Sequence, residues 1–297
     1  MRANLHLHSR FSDGSLPPAA VADAAAAVGL EAAALTDHDT LGGVREFLDR
    51  AAFHGLAAWP GVEIDVADRK TGYRSEILAY FPGGLCEGTR ALLAEVLERR
   101  RERARLWMTR APRVFFREDL GYEDLLRFKT GLLDGGGPEG EVSLSKTDLF
   151  EYLKNRGVLG PAAEYREFRK AWFDTELLPS GSYRKSDLAE VVRTVRSDGG
   201  ICVLPHPGHE FGDSVSELSR ERKRFRSLLG RMRDLGVRGV EIYHYGNADS
   251  EEINRIVAEE ARDLGFFLTF GSDCHGPGSA KYTIRDFRGD FPGWPET

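Results

Sequence analysis

The chain has 297 residues, 41% of them hydrophobic and 30% charged, with a formal net charge of −6. That composition fits a soluble globular protein large enough for one big α/β domain or two ordinary ones, and it excludes wholesale disorder. No apolar run approaches the ~20 residues a bilayer span requires, and the acidic balance gives no global field for long polyanions. Three widely spaced cysteines, Cys86, Cys202 and Cys274, include no CxxC. They suit a reducing compartment better than a disulfide scaffold. The sequence enters a strand pattern at once, leaving no room for a cleavable signal, so a cytoplasmic location is expected.

In chain order, residues 4–9 (NLHLHS) read as a strand. Period 2 places Leu5 and Leu7 on one face and His6 and His8 on the other. Two adjacent imidazoles rarely serve packing; they call for a shared partner, of which a metal ion is the commonest. A turn carrying Asp13 follows, then a helical segment (LPPAAVADAAAAVGL) that Ser15 can cap and Gly29 can close. The run AAALTDHD predicts a second strand ending in Asp37, His38 and Asp39. A helix and two strands come next, LAAWPGVEID and SEILAYF, carrying Glu63 and Glu76.

Residues 85–184 break the alternation, with an arginine-rich helical stretch, a glycine-rich loop (GLLDGGGPEGE) and a second helical stretch (SKTDLFEYLKNRG). They read as a mostly helical insertion over one end of a barrel formed by residues 1–84 and 185–297. From residue 186 strand and helix alternate again. ICVLPH ends in His206, GVEIYH in His244, and FFLTFGSDCH in Asp273 and His275. Strands alternating with helices predict a parallel sheet, and this many in one chain predict a barrel, so these side chains converge on one rim. Acids and imidazoles at such density repel and desolvate one another unless divalent cations supply charge. The N and O donors suit Zn, Mn or Fe, and the number of candidates predicts two to three ions.

The motifs HLHSRFSDG, LTDHDT, GVEI, LPHPG and GSDCHG, over residues 1 to about 82 and 185 to 285, resemble those of the PHP (polymerase and histidinol phosphatase) superfamily. The stand-alone bacterial members that act on nucleotides and other small phosphates are the most similar. The resemblance implies a distorted (β/α)7 barrel of α/β class with a trinuclear metal site. It implies that His6, His8, Glu63 and Asp273 hold one metal, that Asp13, His38 and His275 hold another, and that Glu63 and His206 share in a third. Relatives complete the third with a histidine where this chain has Glu76. Lys146 falls where relatives place a phosphate-binding arginine; Arg184 and His244 are further substrate-binding candidates.

The expected activity is metal-dependent hydrolysis of small phosphate esters, foremost nucleoside mono- or bisphosphates. A hydroxide bridging two ions attacks phosphorus, with Asp273 and His206 in catalytic positions and His206 or His244 assisting the leaving group. Cyclic phosphodiesters, histidinol phosphate and the 5′ ends of short oligonucleotides are alternative substrates. Amidohydrolase chemistry and a non-catalytic metal-binding module are alternative functions. Cys274, His54 and His209 are expected to be packing or surface residues, and the Arg99–Arg105 run a solvated helix face.

Overall fold

In a computed structural model, residues 1–84, 87–133, 141–178, 183–279, 281, 283–285 and 287–295 are described. Cys86 and most of the glycine-rich loop lie outside them. The strands are β1 (Arg2–Leu7), β2 (Ala32–Leu35), β3 (Ala57–Ala67), β4 (Glu76–Tyr80), β5 (Ser186–Asp187), β6 (Ile201–Leu204), β7 (Gly239–Tyr243), β8 (Phe267–Gly271) and β9 (Gly289–Asp290). The helices of the barrel layer are α1 (Pro18–Ala27), α2 (Val44–Phe53), α7 (Leu188–Ser197), α8 (Val215–Arg220), α9 (Arg222–Leu235) and α10 (Ser250–Asp263). Between β4 and β5 come α3 (Glu87–Phe115), α4 (Tyr122–Gly131), α5 (Lys146–Asn155) and α6 (Tyr165–Trp172).

Hydrogen-bonded strands follow the order β8-β7-β6-β4-β3-β2-β1-β9, with β5 alongside β3. The sheet curls until β1 meets β8. A parallel bridge joins Leu7 to Cys274 there, and His8 N donates to the Cys274 carbonyl at 2.9 Å. Seven strands therefore ring the barrel, as expected. One runs backwards: β4 is antiparallel to both β3 and β6. Because of that reversal the start of β4, not its end, lies at the rim, where Glu76 pairs in register with Asp65.

The first strand departs from simple alternation. A register shift between Asn4 and Leu7 turns Leu5 and Leu7 to different clusters. Leu7 packs beneath α1 and α2 with Val21, Phe47 and Cys274. Leu5 packs inside the barrel with Leu78, Tyr80 and Val203, in a cluster plugged by Phe291 and Trp294. The inserted residue of such a bulge lets neighbouring side chains share a face. Ser15 caps nothing: Pro17 stands at the N-cap of α1, and Ser15 N donates to the His275 carbonyl instead.

The helices of the insertion gather their own core around Trp107, Leu149, Tyr152 and Phe168, into which Phe11 of the barrel also reaches. The first turns of α3 still belong to the barrel layer: Leu93 packs with Val191 and Val195, and Asp198 accepts from Thr89 N at 2.6 Å. The middle of α3 thus crosses the rim on its way from one core to the other. No helix among the described residues is long and apolar enough to cross a membrane.

Candidate metal centre

The strand ends bring nine side chains together in three overlapping groups, within each of which the ligand atoms lie no more than 4.8 Å apart. His6, His8, Glu63 and Asp273 form one. His8, Asp13, His38 and His275 form the second, and Glu63, Glu76 and His206 the third. His8 and Glu63 are the shared members. His8 Nε2 is 2.9 Å from Asp273 Oδ1 and 3.4 Å from Glu63 Oε2. His6 Nε2 and His38 Nδ1 both stand 3.2 Å from that same Glu63 oxygen. Asp13 Oδ1 lies 3.1 Å from His275 Nε2, and Glu63 Oε1 lies 3.1 Å from His206 Nε2.

The backbone is bent to make this convergence. Asp39, His206 and Asp273 occupy the left-handed region, with φ of 55°, 27° and 51°. A non-glycine residue there costs of order 1–3 kcal/mol, and such strain gathers at functional sites. Asp37 does not join the ligand groups. Its carboxylate accepts from Ser9 N, Ser9 Oγ and Ser12 Oγ and so fixes the loop that carries Asp13.

The donor set fits divalent cations. His6 Nε2, His8 Nε2, Asp13 Oδ1, His38 Nδ1, Glu63 Oε2 and Asp273 Oδ1 are all buried, and none makes a hydrogen bond among the described residues. Buried polar atoms without partners are rare and costly; six aimed at common points are explained by ions. Electrostatics agree. Burial disfavours charged imidazoles at His6 and His8, but the facing carboxylates outweigh it. Glu241, Glu63 and Asp273 hold the His6 pKa up, and Asp273 and Glu63 hold His8 at about 10. Burial also works against the carboxylates, yet the imidazoles around Asp13 and Glu63, and Lys281 and His275 beside Asp273, keep them well below their ordinary values. Protons here do the balancing that a cation does better.

Several neighbours were not foreseen. Glu241, fully buried on β7, takes His6 Nδ1 at 2.9 Å and accepts from His206 N at 2.8 Å, leaving His6 Nε2 to face the centre. Lys281 pairs with Asp273. His209 is exposed, as expected, but its ring also lies against that of His206, with centroids 4.5 Å apart, and its Nδ1 meets Asp213 Oδ1 at 2.6 Å. Period 2 does not mark Glu241, because the residue expected to act on that strand, His244, alternates to the other face.

The same alternation relocates two substrate candidates. Tyr243 and Tyr245 turn toward His209, whereas His244 between them faces Phe287. Tyr183 and Lys185 both reach Asp65, at 2.7 and 2.9 Å, whereas Arg184 between them is exposed. The cation this segment gives the rim is Lys185, which also holds Glu76 at 3.0 Å, while Glu76 Oε2 stands 4.0 Å from His206 Nε2. Lys146 opens α5, with its Nζ 4.4 Å from the centre of the Phe173 ring.

The seven-stranded α/β barrel, with three candidate metal-ligand groups at its rim among the described residues, is that of a metal-dependent phosphoester hydrolase. The chain belongs to the PHP domain family, whose model matches residues 4–151. It is 30% identical over 280 residues to phosphoribosyl 1,2-cyclic phosphate 1,2-diphosphodiesterase of Eggerthella lenta, covering 93% of this chain and 95% of that protein. It is 28% identical over 287 residues to 3′,5′-nucleoside bisphosphate phosphatase of Chromobacterium violaceum, covering 93% and 87%. A 5′-3′ exoribonuclease of Salmonella typhimurium is 25% identical over 276 residues, covering 92% and 85%. A solved structure from Chromobacterium violaceum, described as an amidohydrolase with bound sulfate and no metal, superposes with a TM-score of 0.72 at 28% identity, covering 98% of this chain and 92% of that one.

Proposed function

We propose that the chain hydrolyses small phosphate esters, with nucleoside mono- or bisphosphates foremost, in the cytoplasm and with two to three Mn, Zn or Fe ions. The observation that carries this reading is the set of buried, unpartnered ligand atoms converging on three overlapping points. The ions would be held by His6, His8, Glu63 and Asp273; by Asp13, His38 and His275 with His8; and by Glu63, Glu76 and His206. Divalent cations so placed supply Lewis acidity toward a phosphoryl oxygen and lower the pKa of water at neutral pH.

The chain's own groups do the rest. Glu241 keeps the His6 proton on Nδ1 and so presents Nε2 inward. Of the two strand-end imidazoles, His206 turns its Nε2 to the third ligand group, whereas His244 faces Phe287. The helical roof shields the reacting groups from bulk water, which strengthens every charge interaction beneath it. Lys146 stands on that roof as a point charge for a substrate phosphate.

The similarity to a cyclic phosphodiesterase and to a bisphosphate phosphatase supports a compact, multiply charged substrate. The net charge of −6 weighs against long nucleic acid. A phosphate-release panel on the Mn-supplemented protein tests this, with adenosine 3′,5′-bisphosphate, adenosine 5′-monophosphate, cyclic phosphodiesters, histidinol phosphate and a short 5′-phosphorylated oligonucleotide. Turnover of a nucleotide is expected, and its loss in His8→Ala and Asp273→Asn. Processive degradation of long RNA with no action on the small esters would refute the substrate reading.

A further inference from the structure

Beyond β8 the chain passes through Asp273 and His275 and then turns back on itself at Gly276, whose φ of 82° suits glycine. Lys281, eight residues past Asp273, returns to stand beside both. Its backbone carbonyl accepts from His275 N at 3.0 Å, and its ammonium pairs with Asp273 Oδ2. Thr283 Oγ1 donates to the Ser272 carbonyl at 3.1 Å, so the returning segment is laced to the strand end on both sides of Asp273. Among the described residues Asp273 is the one carboxylate within ion-pair distance of Lys281.

The two oxygens of Asp273 face different company. Oδ1 looks toward imidazoles, with His8 Nε2 at 2.9 Å, His275 Nδ1 at 3.4 Å and His6 Nε2 at 3.6 Å. Oδ2 looks toward Lys281 and, at 3.5 Å, the Tyr243 hydroxyl. Uptake of a cation among the imidazoles costs protons on their nitrogens, not the ammonium, which stands on the other oxygen. Lys281 is therefore no stand-in for an ion: its pair with this buried carboxylate is compatible with a loaded centre. A carboxylate can serve a divalent cation with one oxygen or with two. A catalytic site needs a position left open for water or substrate, and a second carboxylate oxygen would fill it.

We infer that Lys281 is a positioning residue: by engaging Oδ2 it holds Asp273 to a single inward oxygen and so preserves an open position at the centre. The inference rests on the metal-dependent phosphoesterase reading above and extends it to a residue outside the three ligand groups. The lysine does this from a half-exposed position, with 46% of its side chain open to solvent, so replacing it opens no core.

The test uses the full chain, loaded with cobalt for spectroscopy and with manganese for turnover. Cobalt of higher coordination number absorbs more weakly in the visible. In Lys281→Met, cobalt uptake should match wild type in stoichiometry while the visible absorption weakens. Its kcat for adenosine 3′,5′-bisphosphate should fall by roughly 10- to 100-fold, the usual effect of losing an outer partner of a metal ligand, with KM little changed. Lys281→Arg returns a charged donor to Oδ2 and should recover most of both readings. The backbone bond to His275 needs no side chain, so the variants report on Asp273. A wild-type spectrum in Lys281→Met would overturn the inference. So would a raised KM with kcat intact, the mark of a substrate contact, or the loss of a cobalt equivalent, the mark of a collapsed ligand group. If the spectrum shifts as expected while wild type hydrolyses no phosphate ester, the inference holds and the phosphoesterase reading fails. Should Lys281→Met melt far below wild type, Lys281→Gln, polar but one bond too short to reach Oδ2, decides by the same spectrum.

Discussion

Glu241→Gln removes one negative charge and almost no volume, yet it should cripple metal binding. Both carboxylate oxygens of Glu241 accept: Oε1 faces His6 Nδ1 at 2.9 Å and Oε2 accepts from the His206 backbone at 2.8 Å. Glutamine offers one acceptor and one NH2 group. If the NH2 faces His6, Nδ1 must become the acceptor and the imidazole proton moves to Nε2, blocking the lone pair aimed at Glu63 and Asp273. If it faces His206, two donors collide in a fully buried pocket. Loss of such an outer partner weakens metal affinity about 10- to 100-fold, or roughly 1.4–2.7 kcal/mol. Calorimetric titration of chelator-stripped protein with Mn would measure this, and Glu241→Asp should fall between the two. Wild-type affinity and stoichiometry in Glu241→Gln would refute the reasoning that His6 owes its tautomer to Glu241.

Metal affinity should rise with pH: His6 and His8 hold protons above their ordinary range, His8 to about 10, and a cation must displace them. Proton release on binding at pH 7 is expected, measured by titration in buffers of different ionisation enthalpy. Lys129→Met breaks a buried pair with Asp148 and a bond to the Ser12 carbonyl. It should cost about 3–5 kcal/mol in denaturant unfolding and loosen the loop bearing Asp13. Glu76→Ala should lower the metal content of Mn-saturated protein from three equivalents to two by elemental analysis, with His8 and Asp273 still in place.

The sequence made the candidate metal centre legible because the side chains that converge there sit where strands end, and period 2 gives their direction. His6, His8, His38, Glu63, Asp273 and His275 need nothing else. The same rule, applied to every strand end, separates Tyr243 from His244 and Lys185 from Arg184; residue type alone does not part the members of each pair. What local pattern does not carry is the reversal of β4, which depends on strand pairing across the sheet. The bulge that parts Leu5 from Leu7, and the contact of His209 with His206, likewise arise from tertiary packing. A buried glutamate on a strand such as Glu241 reads as an ordinary polar position until the strands on either side of it are known.

The join of β1 to β8 runs through the metal centre, so His8 and Asp273 are brought together from opposite ends of the polypeptide. During synthesis the first strand leaves the ribosome long before its neighbour exists, and its two imidazoles wait without their carboxylate partner. Such long-range closure is slow compared with local helix formation. Ions bound there would act as a late fastener: any nascent chain ended before residue 273 lacks part of two ligand groups and the Leu7–Cys274 bridge that joins the two ends of the sheet. Refolding yield should therefore rise with added metal, as turnover should.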